Sequence, residues 1–168
     1  MGRTGAGADG MNEGDPIPSV TVVGADGEAV DIATLPRPLV VYFYPKDDTA
    51  GCTREAQDFT TLAPDFAAAG ACIVGVSRDS PAAHAKFTAK HALGIPLASD
   101  EGGDACAAFG VWVEKAMYGR KYMGIERATF LFGIDGTLLR AWRKVKVPGH
   151  AATVLDTVRS HRSRPSSS

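Results

Sequence analysis

The run Leu39-Val40-Val41-Tyr42-Phe43-Tyr44 is apolar and β-prone without alternation, and Pro45 follows it directly. A strand with one wet face alternates apolar and polar residues; one without alternation is covered on both faces, so helices must lie above and below its sheet. Pro45 cannot donate to a ladder and stops the strand. A helix is expected to begin near Cys52, with Ala56, Phe59, Ala63 and Phe66 near helical spacing and a kink or break at Pro64. Cys72-Ile73-Val74-Gly75-Val76-Ser77 then reads as a second buried strand, and Ser80 caps a helix that Pro81 opens and that runs towards His91.

Around this β-α-β-α centre, Thr21-Val22-Val23 and Ala29-Val30-Asp31-Ile32 flank a Gly24-Ala25-Asp26-Gly27 turn and form an N-terminal hairpin. Pro96-Leu97-Ala98-Ser99 is a short strand and residues 104–109 a short helix. Ala128-Thr129-Phe130-Leu131-Phe132 pairs through Asp135-Gly136 with Leu138-Leu139-Arg140-Ala141-Trp142, and residues 151–161 close the chain as a helix. The expectation is an α/β protein: a central mixed β-sheet flanked by helices, compatible with a thioredoxin-like fold. Residues 1–14 read as a flexible leader, 15–161 as one domain and 162–168 as a flexible tail.

The 168 residues, 45% hydrophobic and 22% charged, suffice for one ordinary core. A formal net charge of -1 offers a polyanion little, and the basic stretch 140–146 alternates like a strand's solvated face, so nucleic acid is not an expected partner. No apolar run is long enough for a membrane span or a secretory signal, which makes the cytoplasm the default location. The three cysteines, Cys52, Cys72 and Cys106, are too scattered for a disulfide scaffold or a paired-cysteine metal site. His84, His91, His150 and His161 lack ligand spacing and read as surface or capping residues, and residues 100–104 read as a solvated turn. Neither a metal nor an organic cofactor is expected.

The chemistry is concentrated just past the first buried strand. Cys52 falls in the first turn of the expected helix, where free amides and the helix dipole favour a thiolate, the nucleophilic form. A thiolate that attacks also leaves charge on the departing group, which fixed donors must meet. Thr49 supplies a hydroxyl within the same turn, although it also fits a plain helix cap. Pro45 can wall the pocket and limit water around the sulfur. An arginine from elsewhere in the chain would complete the site.

Pro45, Thr49 and Cys52 match the peroxiredoxin signature Pro-x-x-x-Thr-x-x-Cys at every required position. The wider run from Tyr42 through Thr53 resembles the bacterioferritin comigratory protein, or PrxQ, branch of that family. The segment from Tyr118 to Phe130 resembles the one that carries the family's active-site arginine, which falls on Arg127, and Gly75-Val76-Ser77-Arg78-Asp79-Ser80 is similar to the family's strand end. The resemblance implies a thioredoxin-dependent type of peroxidase that reduces hydrogen peroxide and organic hydroperoxides. Cys52 would be the peroxidatic cysteine, oxidised to a sulfenic acid, with Thr49, Arg127 and the Cys52 amide holding the peroxide oxygens. Glu55, one turn after Cys52, either orders Arg127 or merely answers the helix dipole.

Many members of this branch place a resolving cysteine five residues after the first, where this chain has Gln57. The sulfenic acid must then be resolved by Cys106, by Cys72 or by an external thiol such as thioredoxin, glutaredoxin or glutathione. The favoured expectation is a one-cysteine mechanism, with Cys106 the better internal resolver and the protein a monomer or weak homodimer. A redox sensor or partner-binding module switched by Cys52 oxidation is the main alternative. A disulfide oxidoreductase is disfavoured because Thr49 stands where its first paired cysteine would be.

Overall fold

The structure is a computed structural model that describes residues 11–162. Residues 1–10 of the expected leader and 163–168 of the expected tail lie outside the described residues. The leader expectation runs too far: Met11 is buried in the core, and the Gly14 amide donates to Leu138 O at 2.9 Å. Small polar neighbours conceal the one apolar side chain that anchors this segment.

Among the described residues, nine strands and four α-helices follow in chain order. Strands β1 (Thr21–Gly24) and β2 (Ala29–Asp31) make the opening hairpin, and β3 is Leu39–Phe43. Helix α1 (Ala50–Ala68), β4 (Cys72–Ser77), α2 (Pro81–His91), β5 (Leu97–Ser99) and α3 (Asp104–Phe109) come next. After them stand β6 (Trp112–Met117), β7 (Arg120–Ile125), β8 (Ala128–Phe132), β9 (Leu138–Trp142) and α4 (His150–Arg162).

Seven strands form one mixed sheet in the order β2-β1-β5-β4-β3-β8-β9. β3 lies between parallel β4 and antiparallel β8, and every residue of it is buried. Alternation along β3 divides the core in two, because successive side chains point to opposite faces. Leu39, Val41 and Phe43 pack with α3 residues Ala105, Cys106 and Phe109. Val40 and Tyr42, with Tyr44 just beyond the strand, pack on the other face with Cys52 and Phe59 of α1, Phe87 of α2 and Val154 of α4.

Pro64 does not break α1, which continues to Ala68. An internal proline costs about 3 kcal/mol, whereas burying Phe59 and Phe66 on either side of it returns roughly 1.5–3 kcal/mol each. Their rings lie 5.9 Å apart against the sheet and α4. Tertiary packing therefore outweighs the local penalty.

The unexpected element is the separate β6–β7 hairpin, paired from Trp112↔Ile125 to Met117↔Arg120. Its turn residues Tyr118 and Gly119 both have positive φ, 52° and 78°, as a tight primed turn requires. Tyr-Gly is a weak turn signal beside Asn-Gly, and the strands are mostly exposed, so little apolar patterning betrays them.

Candidate active site

Three pieces of chain meet at the C-terminal end of β3. Helix α1 starts there, and Thr49 occupies its N-cap position. The first backbone bond of the helix runs from Thr53 N to Thr49 O at 2.8 Å, so the amides before it, including that of Cys52, have no helical acceptor. Thr49 leaves them alone: its Oγ1 donates to Lys46 O at 2.9 Å and makes no capping bond. The plain-cap reading of Thr49 is thereby replaced, and the hydroxyl oxygen keeps its lone pairs for another donor.

The pairing Phe43↔Ala128 brings the residue before β8 beside this helix start. That residue is Arg127, whose carbonyl accepts from Val145 N at 3.0 Å. One arm of the guanidinium, Nη2, donates to Cys52 Sγ at 3.3 Å; the other, Nη1, donates to Glu55 Oε1 at 2.7 Å. Gly51 makes room for this approach, since a Cβ there would lie 3.3 Å from Arg127 Nη2. Cys52 is 1% exposed and Glu55 is equally buried.

Electrostatics follow from this burial. Desolvation pushes the Glu55 carboxyl up to about 7, against the pull of Arg127. Its second oxygen, Oε2, has no partner, nor has the buried Tyr42 hydroxyl, which desolvation and then Glu55 hold well above the usual tyrosine range. Burial also opposes the charge on Arg127, but Glu55 and Cys52 outweigh it and move its pKa up. The cation therefore persists at any ordinary pH. His150 is buried, meets Thr129 Oγ1 at 2.8 Å, and is held down to about 4 by burial and then by Arg127. A neutral imidazole thus accompanies the arginine, and the surface role expected for His150 is wrong.

Pro45 lines an open cleft of about 380 Å³ next to the site, with Arg78, Trp112, Lys115, Tyr122 and Met123. Arg78 lies over the Trp112 ring at 4.7 Å and ties the hairpin to the body of the protein. Burial and then Arg127 pull the Lys115 ammonium below its ordinary value.

The other thiols are placed differently. Cys72 pairs with Leu39 at the start of β3, whereas Cys52 follows its end, about 13 Å along the strand. Cys106 lies in the core on the opposite face of the sheet from Cys52. Its amide donates to Asp100 Oδ2 at 2.8 Å and the Ala105 amide to Oδ1 at 3.0 Å, so Asp100 is a buried helix cap and not part of a solvated turn. Burial, then the Asp100 carboxylate, drive the Cys106 thiol far up. Gln57 is exposed on α1.

Sequence reasoning also misplaced His84, which is fully buried against Asp47 and Ala98. The signal was available: His84, Phe87 and His91 share one helical stripe, so His84 belongs to the inner face of α2.

A mixed sheet flanked by helices, with a buried thiol held under an arginine at a helix start, defines a thiol peroxidase on a thioredoxin-like fold. The chain belongs to the AhpC/TSA family, which matches it over residues 13–141. It is 54% identical over 123 residues to peroxiredoxin Bcp of Xanthomonas campestris pv. campestris, covering 73% of this chain and 77% of the relative. It is 44% identical over 147 residues to peroxiredoxin Bcp of Bacillus subtilis, covering 87% and 94%. Among solved structures, the Xanthomonas campestris bacterioferritin comigratory protein, captured as a trapped intermediate/ligand complex in work on its alkyl peroxide reduction, superposes with a TM-score of 0.82 at 44% identity, covering 90% of this chain and 99% of that one. Among the described residues, no helix is long and apolar enough to cross a membrane.

Proposed function

We propose that Cys52 is the peroxidatic residue and that the protein reduces hydrogen peroxide and organic hydroperoxides by a one-cysteine mechanism. The carrying observation is the Arg127 bridge between Cys52 Sγ and Glu55. A guanidinium on the sulfur favours the anion, and the same donors face the charge that develops as the O–O bond breaks. Alkyl peroxide reduction by the Xanthomonas campestris relative supports the organic substrate.

The Cys52 thiolate attacks the terminal oxygen of ROOH. An S–O bond forms, the O–O bond breaks, and the departing alkoxide takes back from solvent the proton that the Cys52 thiol released on ionising, becoming ROH. Thr49 Oγ1, its own proton engaged by Lys46 O, accepts from the hydroperoxide O–H, while Arg127 and the Cys52 amide donate to the oxygens. Pro45 closes one side of the pocket. Sulfur is left as the sulfenic acid. An external thiol then attacks that sulfur, releasing water and forming a mixed disulfide, which a second thiol reduces. Thioredoxin, glutaredoxin and glutathione are the classes of reductant that fit.

External resolution is supported by Gln57, by the strand length separating Cys72 from Cys52, and by the sheet between Cys52 and Cys106. We take the folded unit as one domain ending with α4, working as a monomer or weak homodimer in a reducing cytoplasm. Continuous peroxide consumption with a supplied thiol, lost in Cys52→Ser, is the expected result. A single stoichiometric burst under every reductant tried would instead make Cys52 a sensor. Peroxide-treated protein that lost two hydrogens through a Cys52–Cys106 bond would end the one-cysteine reading.

A further inference from the structure

The segment from Tyr44 to Thr49 carries Pro45 and Thr49 and leads into Cys52; its ends are tied by Tyr44 N to Val76 O and by Thr49 O to Thr53 N, but the residues between belong to no helix or strand. It is held through Asp47, which is 8% exposed. Asp47 Oδ1 accepts from the Tyr44 hydroxyl at 2.5 Å, Oδ2 lies 2.7 Å from His84 Nδ1, and the Asp47 amide donates to Asp79 Oδ2 at 2.8 Å. His84 is fixed in turn, because its Nε2 meets Ala98 O at 3.0 Å. A carbonyl only accepts, so Nε2 carries a hydrogen and a single proton lies between Nδ1 and Asp47 Oδ2. The next residue, Asp48, has φ 61° and accepts from Lys90 Nζ at 2.8 Å, with His91 Nε2 2.9 Å away. Both carboxylates of this segment are thus gripped by α2.

We propose that His84, with Asp47 and Tyr44, forms a positioning clasp that holds residues 44–49 so that Thr49 and Cys52 meet Arg127 in the geometry attack requires. Its hydrogen bonds run among the loop, α2 and β5, not to Cys52 Sγ, so it acts through the loop. An unclasped loop would sample many backbone states, and a misplacement of about 1 Å is enough to cost about 100-fold in rate. The proposal rests on Cys52 being the attacking sulfur.

Asp47→Ala and Asp47→Asn separate positioning from the loss of a buried charge. In Asp47→Asn the side-chain amide would accept from Tyr44 and donate to His84 Nδ1, leaving the Nε2 bond to Ala98 unchanged. In stopped-flow oxidation of the reduced protein, Asp47→Ala should slow Cys52 oxidation about 10- to 100-fold, and Asp47→Asn should remain within about threefold of wild type. Iodoacetamide labelling of Cys52 should rise in Asp47→Ala, as a loosened loop uncovers the sulfur. A folded Asp47→Ala that oxidises at the wild-type rate overturns the clasp, as does Asp47→Asn falling as far as Asp47→Ala. Should Asp47→Ala not fold, Tyr44→Phe keeps the ring and removes the hydroxyl that meets Asp47 and His84; a several-fold slowing is expected, and an unchanged rate overturns the proposal. Cys52→Ser is run beside them. If it still consumed peroxide, the Cys52 reading would fall; if it were dead while Asp47→Ala was normal, the clasp alone would fall.

Discussion

Cys52 and Cys106 each stand third in a helix, α1 and α3, and both are buried. The two helix starts nevertheless set opposite charges beside the sulfur. In α3 the first amides are taken by Asp100, so the thiol sits beside an anion already installed. In α1 the Thr49 hydroxyl turns to Lys46 O and an arginine arrives from the β8 side of the sheet. A helix start alone does not make a reactive cysteine. What matters is whether the amides are already occupied and which sign of charge lies against the sulfur.

The sharpest way to break this comparison is to exchange the losses. Cys52→Ser should reduce thiol-dependent peroxide turnover to background, while Cys106→Ser should keep it within about twofold, the small change expected of a thiol that acts through packing alone. Coupled peroxide-consumption assays check both, and a dead Cys106→Ser with intact fold would make Cys106 the resolver.

Removing the cation comes next. Arg127→Met should lower the second-order rate of Cys52 oxidation about 100- to 1000-fold, the usual cost of a lost transition-state donor. It should also slow iodoacetamide labelling of Cys52, since the donor that faces the sulfur is gone. Labelling that stayed at the wild-type rate would mean the helix start suffices after all.

Glu55 gives a smaller effect with a definite pH dependence. Its carboxyl titrates near 7 in the folded protein against an ordinary value of 4.5, so the folded state holds the extra proton between them. The stability this contributes is complete below about 4.5, falls as pH rises, and is gone above about 7. The ionised form is the one that anchors Arg127, so peroxide reactivity should climb through the same window. Glu55→Gln should flatten both curves and reduce the rate at pH 8 about tenfold, the scale of one charge-assisted bond. Urea titrations from pH 4 to pH 8 and stopped-flow profiles test these opposite slopes; parallel slopes would remove Glu55 from the anchoring role.

The smallest effect lies on the Cys106 side. Asp100→Asn keeps one acceptor for the α3 amides and removes the anion, so labelling of Cys106 in unfolding-free conditions should rise modestly at a stability cost of about 1 kcal/mol. No change in labelling would assign the inertness of Cys106 to burial alone, the larger of its two causes.

Strands with strong patterning were legible from residue order, as was the meeting of Cys52 with Arg127. β3 and β4 announce themselves through unbroken apolar runs, and α2 through the Ser80-Pro81 start, where Ser80 Oγ accepts from Ala83 N at 3.1 Å. The β6–β7 hairpin was not, because an exposed ribbon needs no apolar alternation. Nor were Asp47, Asp100 and His84, whose polarity argued for the surface while long-range partners made burial tolerable. Pro64 erred the other way: a strong local signal gave way to two phenylalanines that only the folded core brings together.

The 3.3 Å clearance between a would-be Cβ at Gly51 and Arg127 Nη2 restricts this neighbourhood by volume and not by polarity. A methyl group there would press on the nitrogen that donates to the sulfur, and that nitrogen would have to give by a few tenths of an ångström. Among substitutions in the first turn of α1, the one that adds least matter therefore bears directly on the contact between the arginine and the sulfur.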